Sequence, residues 1–278
     1  MFYAGKSVLL ASKHGKEQAI APPFKKTLNC DIWAPDNFDT DKFGTFTGEI
    51  QRSGSQHETL ILKAKCAGEK YGVPYVIASE GSFGPHPMLY FFPGSIEMLT
   101  FIDLSTNFMI VESQVSQETN YAHIDIHKPE LPESFLKKTG FPGHALIVRI
   151  KENSHVISKG IQDENLLLDA IKEGLKNGKT IRLETDMRAH LNPTRMKTLI
   201  PLATRLAERV AAHCPSCQAP GFGEATFSGH LPCDACRAPT ELYEKKILNC
   251  LRCDFKSVLA RDDGLLSSPQ QYCPICNP

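Results

Sequence analysis

The sequence has no charge imbalance and no long hydrophobic run. Its 278 residues carry 31 basic and 31 acidic side chains, which argues against a protein that binds nucleic acid or an anionic membrane through bulk charge. No apolar stretch approaches the roughly 18 residues that a transmembrane helix needs. The first ten residues contain no signal-peptide core. We therefore expect a soluble, cytoplasmic protein with no membrane partner.

Cysteine is scarce before residue 213, where only Cys30 and Cys66 occur. Eight further cysteines form four Cys-x-x-Cys pairs: Cys214 and Cys217, Cys233 and Cys236, Cys250 and Cys253, and Cys273 and Cys276. In an intracellular chain such pairs are typical of metal ligands rather than of disulfides. This distribution predicts an α/β domain over residues 1–212 and a double zinc ribbon over residues 213–278.

Two structural zinc ions are expected in the C-terminal module. Four thiolates complete the tetrahedral shell that Zn²⁺ prefers and leave no open position for catalysis. Neighbouring pairs give C-x2-C-x15-C-x2-C and C-x2-C-x19-C-x2-C, and both spacings are typical of zinc ribbons. The spacing favours these neighbouring pairs. A nested pairing, which joins 233–236 to 250–253 and 214–217 to 273–276, remains open. So does a crossed pairing, which joins 214–217 to 250–253 and 233–236 to 273–276.

The charge of the zinc module bears on its partner. Residues 213–278 carry six Lys or Arg and seven Asp or Glu side chains. Each zinc ion held by four thiolates adds about two negative charges, whereas affinity for phosphate backbones depends mostly on cationic contacts. Nucleic acid is therefore not expected as a partner. A stabilising role, or the docking of a protein partner, fits this composition better.

Residues 1–212 alternate strand-like and helix-like stretches. Short apolar runs predict strands at 7–12, 73–79, 97–103, 108–113, 145–150 and 180–183. Apolar stripes at helical spacing predict helices at 58–71 and 163–175. A helix that starts at Lys16 should stop at Pro22 and Pro23, and a last helix should follow the N-cap Asn192. The alternation predicts a mixed sheet with flanking helices.

Two polar segments in the first quarter of the chain are candidate sites. The first predicted strand ends in Ser12-Lys-His14-Gly-Lys16, and a loop of this kind before a helix can hold an anion. Residues 39–49 are rich in carboxylates, hydroxyls and glycines, which suits Asp41 and Glu49 to a hard cation. The alternative is an ordinary turn in the first case and a structural loop in the second.

Two later segments complete the candidates. Glu80 follows a predicted buried strand, the usual place for a functional group in open α/β sheets, and His86 lies between two prolines. Arg188, His190 and Arg195 crowd the start of the last helix, where the helix dipole favours an anion and Arg suits phosphate. The alternatives are a capping or surface role for His86 and an Arg–carboxylate network with Glu184 and Asp186.

The whole chain resembles a bacterial family described as a domain of unknown function. The resemblance rests on the Lys-His-Gly-Lys start, on the segments DTDKFGTFTGE, ASEGSFGPHP and DMRAHLNPTRM, and on a tail of four Cys-x-x-Cys pairs. It covers nearly the full length and is specific. It implies the zinc tail but no activity.

The order of motifs in residues 1–212 also resembles the inosine triphosphate pyrophosphatase family of nucleotide hydrolases. The corresponding stretches are residues 12–16, 58–65, 79–82 and 188–190. The chain departs from that family at His14, where the family has Asn. The acidic turn contains only Glu80, and Arg188 and His190 come in reversed order.

This second resemblance implies Mg²⁺-dependent attack of water on a nucleotide phosphate. Glu80, with Glu49 or Asp41, would hold the magnesium ion, and His14 or His86 would orient the water or the base. The phosphates would contact the side chains Ser12, Lys16, Arg188, His190 and Arg195. The alternative is a non-enzymatic ligand-binding or scaffold domain whose zinc ribbons dock a protein partner.

Overall fold

A computed structural model of the chain describes residues 2–45 and 48–278. Phe46 and Thr47, which belong to the candidate segment 39–49, lie outside the described residues. The described chain forms two compact units, one of Tyr3–Ala207 and one of Glu208–Pro278 together with Phe2. Among these residues no helix is both long and apolar enough to cross a membrane.

The first unit contains a five-stranded mixed sheet, as the sequence predicts. Its strands are β1 (Ser7–Ala11), β2 (Asp31–Trp33), β3 (Tyr75–Pro85), β4 (Pro93–Asp103) and β5 (Phe108–Ser116). They lie in the order β2-β1-β3-β4-β5. Strand β1 runs parallel to both of its neighbours, whereas the β3–β4 and β4–β5 pairs are antiparallel.

Helices α1 (Glu17–Leu28) and α2 (Gln56–Tyr71) flank this sheet. Helix α2 starts with a capping box between Ser55 and Glu58, which satisfies two backbone donors, and it packs Leu60 against the sheet. The predicted end of α1 at Pro22 and Pro23 is wrong, because both prolines lie inside the helix. Burial of Ile20, Phe24 and Leu28 offsets the backbone hydrogen bonds that the prolines remove.

A second, four-stranded sheet follows in the same unit. Its strands are β6 (His123–Ile126), β7 (Leu146–Ile150), β8 (Val156–Ile161) and β9 (Ile181–Thr185), in the antiparallel order β6-β9-β7-β8. Helices α3 (Glu133–Thr139) and α4 (Glu164–Gly174) pack on it through a core that includes Phe135, Leu167 and Ile171. The last helix, α5, spans Pro193–Ala211 and includes Pro201.

Strand β3 is longer than the sequence predicts. The predicted strand ends at residue 79, but the segment from Glu80 to Pro85 continues it because each of these residues pairs with β4. Pairing with β1 ends earlier, at Ala11 opposite Ala78. Glu80 therefore lies just beyond the carboxyl end of β1, at the edge of the sheet where open α/β folds bind ligands.

The C-terminal unit contains a small antiparallel sheet and four cysteine knuckles. Strands β10 (Glu224–Ser228), β11 (Lys245–Asn249) and β12 (Lys256–Leu259) lie in sequence order. The knuckle at Cys214 precedes β10, and the knuckle at Cys250 joins β11 to β12. This architecture is the zinc-ribbon type that the sequence predicts.

Candidate functional site

A cleft of about 450 Å³ opens at the carboxyl end of β1. This volume is within the range of small-molecule sites. We call it the cationic cleft, because six cationic side chains line it against two carboxylates, Asp41 and Glu80. The cations are Lys13, Lys16, Arg52, Lys63, Lys159 and Arg188. Seven of the predicted site residues line it: Ser12, His14, Lys16, Asp41, Glu80, Arg188 and His190.

Lys16 is the most buried cation of the cleft. Its side chain is 5% exposed, and its ammonium donates a hydrogen bond of 2.7 Å to Ser79 Oγ. Burial, followed by the positive charge of Arg195, lowers the pKa of Lys16 to about 7. A bound anion would therefore favour the protonated, charged form of Lys16.

The Glu80 carboxylate is held by two cations. Lys63 Nζ donates to Oε1, and Arg52 Nη2 lies 3.3 Å from Oε2. Lys63 also donates to the carbonyl oxygen of Ser79 at 3.1 Å. Lys63 is buried on the apolar face of α2, where Glu80 is its ion-pair partner. Removal of either side chain would leave the other as a buried, unpaired charge.

Two histidines stack at the mouth of the cleft. The rings of His14 and His190 are nearly parallel, with centroids 5.0 Å apart. Burial, and then the charge of Lys16, lowers the pKa of His14 to about 3. Burial and Arg188 also lower the pKa of His190. Both imidazoles are therefore neutral at physiological pH and can act as polar, uncharged contacts.

Arg188 lines the cleft but is anchored from behind. Its Nε lies 3.0 Å from Asp186 Oδ1, and its Nη2 contacts Asp186 Oδ2, so the pair is bidentate. Asp186 is fully buried, while the Arg188 side chain is 22% exposed. Of the Arg–carboxylate network that the sequence left open, the Arg188–Asp186 pair exists and orients Arg188 at the cleft wall, whereas Glu184 pairs with Arg149.

Arg195 does not line the cleft, contrary to its predicted role at phosphate. Its guanidinium binds Glu97 through Nε and Nη2 and donates to the carbonyl oxygen of Met187. Arg195 is 2% exposed and Glu97 is equally buried. Because a buried carboxylate requires a cationic partner, Arg195 is committed to the core of the unit.

Gly81 leaves room for this buried ion pair. A Cβ at Gly81 would collide with the Arg195 guanidinium and lie 2.9 Å from both carboxylate oxygens of Glu97. We expect Gly81→Ala to lower the free energy of unfolding by about 1–3 kcal/mol through overpacking. Gly84→Ala in the same strand is the control, because its Cβ would meet nothing within 4 Å. Urea unfolding midpoints measure both, and equal midpoints would contradict the packing argument.

His86 is placed away from the cleft, so the structure gives no support to its predicted catalytic role. It lies in the turn between β3 and β4, where its Nδ1 accepts the backbone N–H groups of Met88 and Leu89 at 3.2 Å each. The ring thereby holds the turn, which is the capping alternative. It is not among the residues that line the cationic cleft.

The three carboxylates predicted to bind magnesium each contact a cation, although Asp41 and Glu80 both line the cleft. Glu80 contacts Lys63 and Arg52, as described above. Asp41 lies 3.0 Å from Lys13 Nζ, and Glu49 lies 2.8 Å from Lys159 Nζ. Within residues 2–45 and 48–278, the groups of three or more metal-ligating atoms within 4.8 Å of one another consist of cysteines. The structure thus gives no support to a protein-held magnesium ion.

Sequence reasoning gave no role to four cations of the cleft, Lys13, Arg52, Lys63 and Lys159, although the first and third lie in the segments 12–16 and 58–65 that it singled out. Lys63 carried a signal, because it falls on the same helical stripe as the buried Leu60, Ala64 and Ala67. Arg52 lies in a polar loop, and Lys159 lies in β8, which was not predicted as a strand. Local sequence held no signal for either position.

The eight zinc-candidate cysteines form two groups of four, and the sulfurs of each group lie within 4.8 Å of one another. Facing sulfurs lie 3.8 Å apart for Cys214 and Cys253 and 3.7 Å apart for Cys217 and Cys250. In the second group the distances are 3.9 Å for Cys233 and Cys276 and 3.6 Å for Cys236 and Cys273. A tetrahedron with Zn–S bonds of about 2.3 Å has edges of about 3.8 Å. Both groups can hold zinc.

The two groups are interleaved, so the favoured pairing of neighbouring knuckles is wrong. The crossed alternative holds: knuckle 214–217 faces 250–253, and knuckle 233–236 faces 273–276. In the first group, pairing of Glu224 with Asn249 sets the start of β10 beside the end of β11. In the second, Asp234 N–H donates to the carbonyl oxygen of Ser268. These long-range contacts, not spacing, decide the pairing.

Comparison with known families confirms the first resemblance in part, because the match leaves out the segments before residue 63. The family model described as a domain of unknown function (DUF6671) matches residues 63–278. The match includes Lys63, Glu80, Arg188 and the eight knuckle cysteines, whereas the loop that carries Lys16 lies before it. Comparison with curated proteins finds no match. Because the model covers most of the sequence, the chain belongs to the DUF6671 family, a domain of unknown function.

Proposed function

We propose that the cationic cleft binds a phosphate-bearing small molecule of the nucleotide class. The observation that supports this most directly is Lys16, a buried cation of the cleft whose ammonium donates to the neutral Ser79 hydroxyl. The other five cations of the cleft each contact a carboxylate, so Lys16 is the cation best placed to attract an anion. The buried Ser12 and Ser79 hydroxyls and the neutral His14 add hydrogen-bonding groups suited to phosphate oxygens.

Binding is tested by calorimetric titration with tripolyphosphate at low ionic strength. We expect Lys16→Met to weaken binding by roughly 10- to 100-fold, because a charged hydrogen bond contributes about 1.5–3 kcal/mol. Lys65→Met is the matched control, since Lys65 is exposed on α2 and lies outside the cleft lining. Absence of binding by the unsubstituted protein, or equal affinities of both variants, would contradict the proposal.

Anion affinity should fall as pH rises through 7. The free protein releases the Lys16 proton near pH 7, and a bound anion favours the charged form and raises this pKa. Above the free pKa, binding must take up a proton, so affinity should fall by up to about tenfold per pH unit. His14 and His190 do not offset this trend, because their pKa values are lowered.

Sulfate is the probe for this pH dependence, because its own charge does not change between pH ~6 and pH ~9. The Lys16→Arg variant keeps its charge over that range, so its profile should be flat. A pH-independent sulfate affinity in the unsubstituted protein would contradict the role of Lys16.

Hydrolysis of the bound nucleotide is the finer part of the proposal. It rests on the resemblance of residues 1–212 to nucleotide pyrophosphatases and on Lys16, whose near-neutral pKa suits proton transfer. Any Mg²⁺ would arrive with the nucleotide, because Glu80, Glu49 and Asp41 already contact cations. Magnesium-dependent pyrophosphate release that Lys16→Met abolishes would support hydrolysis. Binding without release would identify a ligand-binding protein.

A second candidate function is the docking of a protein partner by the zinc unit. Phe227 on β10 and Leu259 on β12 flank Lys246 of β11 in one row, and both apolar side chains are exposed. Exposed apolar side chains of this kind can contact the apolar surface of a partner protein. Reduced thiolate ligands also suit the predicted cytoplasmic location. Loss of a cross-linked partner on Phe227→Ser, with zinc content unchanged, would support this function.

A further inference from the structure

A second cavity of about 350 Å³ adjoins the cationic cleft. Thr45 and Arg52 line both cavities, so the two are continuous at these side chains. One wall of the second cavity is β3 at Gly81, Ser82 and Phe83, and the opposite wall belongs to the four-stranded sheet. A ligand that fills the cleft can therefore extend between the two sheets of the same unit.

The chemistry of this second cavity differs from that of the cleft. Its lining includes the aromatic rings of Phe83, Tyr121 and His123, and lysine is absent from its described lining. We call it the aromatic cavity. Rings of this kind stack on planar heterocycles, and such stacking is worth about 1–3 kcal/mol per base. The aromatic cavity therefore suits the uncharged, planar part of a ligand.

A polar pair marks one side of the aromatic cavity. Arg149 Nη2 donates to Glu184 Oε1, and described residues donate to this carboxylate at Oε1 alone. Glu184 is mostly buried, and burial raises its pKa. A carboxylate oxygen accepts hydrogen bonds, so Oε2 of this partly exposed side chain can accept one from a ring N–H or an amino group.

We infer that the aromatic cavity holds the heteroaromatic ring of the ligand whose phosphates lie in the cationic cleft. The inference rests on the proposed function and extends it, because it assigns Tyr121, Phe83 and Glu184 to ring recognition. The ring stacks on the aromatic side chains and donates to Glu184 Oε2. Arg52 lies at the junction, where its guanidinium already contacts Glu80 and the carbonyl oxygen of Gly81.

The test compares ATP and GTP with tripolyphosphate, which has the phosphates but no ring. We expect at least one nucleotide to bind roughly 5- to 150-fold more tightly than tripolyphosphate, the ratio that base stacking supplies. Tyr121→Ala should bring the nucleotide affinity down to that of tripolyphosphate, whereas Tyr121→Phe should keep the difference. Tyr90→Ala, in the exposed β3–β4 turn, is the control. Thermal unfolding checks that each variant is folded.

The possible outcomes separate this inference from the proposed function. If tripolyphosphate binds and both nucleotides bind no more tightly, the aromatic cavity does not recognise a ring, but the anion-binding cleft stands. Equal losses of nucleotide and tripolyphosphate affinity in Tyr121→Ala would likewise overturn the inference. If none of the three binds, both the cleft and the ring site are wrong.

Discussion

The double variant Cys217→Ser/Cys236→Ser is expected to lose both zinc ions, and Cys217→Ser/Cys250→Ser to keep one. In the interleaved arrangement, Cys217 and Cys236 belong to different groups, while Cys217 and Cys250 share one. Structural zinc contributes about 10–16 kcal/mol of apparent binding free energy, so loss of both ions should unfold the C-terminal unit. Zinc per chain, measured by mass spectrometry, and limited proteolysis report the two effects.

These two variants also distinguish the three possible pairings. Neighbouring pairing predicts the reverse result, with one ion kept in Cys217→Ser/Cys236→Ser. Nested pairing predicts that both variants lose both ions. The control is Cys66→Ser, because Cys66 belongs to neither group and its substitution should leave two ions per chain. One retained ion in Cys217→Ser/Cys236→Ser would contradict the structure.

Arg195→Met should destabilise the first unit by about 3–5 kcal/mol, because it leaves the Glu97 carboxylate buried without its cation. Both side chains are almost fully buried, and Arg195 also donates to the carbonyl oxygen of Met187. Its guanidinium lies 5.0 Å from the centre of the Phe83 ring, so the substitution removes packing as well. Denaturant unfolding of the unsubstituted and variant proteins measures the loss.

A matched control lies on the same helix. Arg205 is half-exposed, its Nε is 4.0 Å from Glu112, and its guanidinium donates to Gln114 Oε1 and to the carbonyl oxygen of Ser113. Arg205→Met should therefore change stability by no more than about 1–2 kcal/mol. Adding Glu97→Leu to Arg195→Met removes the unpaired charge and should restore part of the lost stability. Equal effects of Arg195→Met and Arg205→Met would contradict a buried ion pair.

The fold class could be predicted from the sequence because the spacing of apolar residues indicates whether a helix or strand is buried on one face or on both. Leu60, Ala64 and Ala67 lie at helical spacing, and α2 buries all three. Strand β1 is a continuous apolar run because it lies between β2 and β3 and is buried on both faces. Tertiary contacts set the ends of elements that the sequence did not predict. Pairing with β4 extends β3 beyond Glu80, and burial of its apolar face keeps α1 helical through Pro22.

The part of the candidate site that lies at the carboxyl ends of strands could be predicted from the sequence. Ser12, His14, Lys16 and Glu80 meet because they lie at the same edge of the sheet. Arg188 joins them, but its neighbour in sequence, Arg195, turns to Glu97 in the core. The local sequence does not distinguish the roles of these two arginines, because both lie near the start of the last helix. The partner of each is a residue brought in by the fold, as is also true of the interleaved cysteine pairs.

The most direct test of an anion-binding cleft is a crystal structure of the protein with bound tripolyphosphate. We predict phosphate oxygens within about 3 Å of Lys16 Nζ, in the cleft that Arg188 and His14 also line. Lys16 should keep its contact with Ser79 Oγ. Tripolyphosphate bound elsewhere on the surface, with the cleft filled by water alone, would contradict the proposed site.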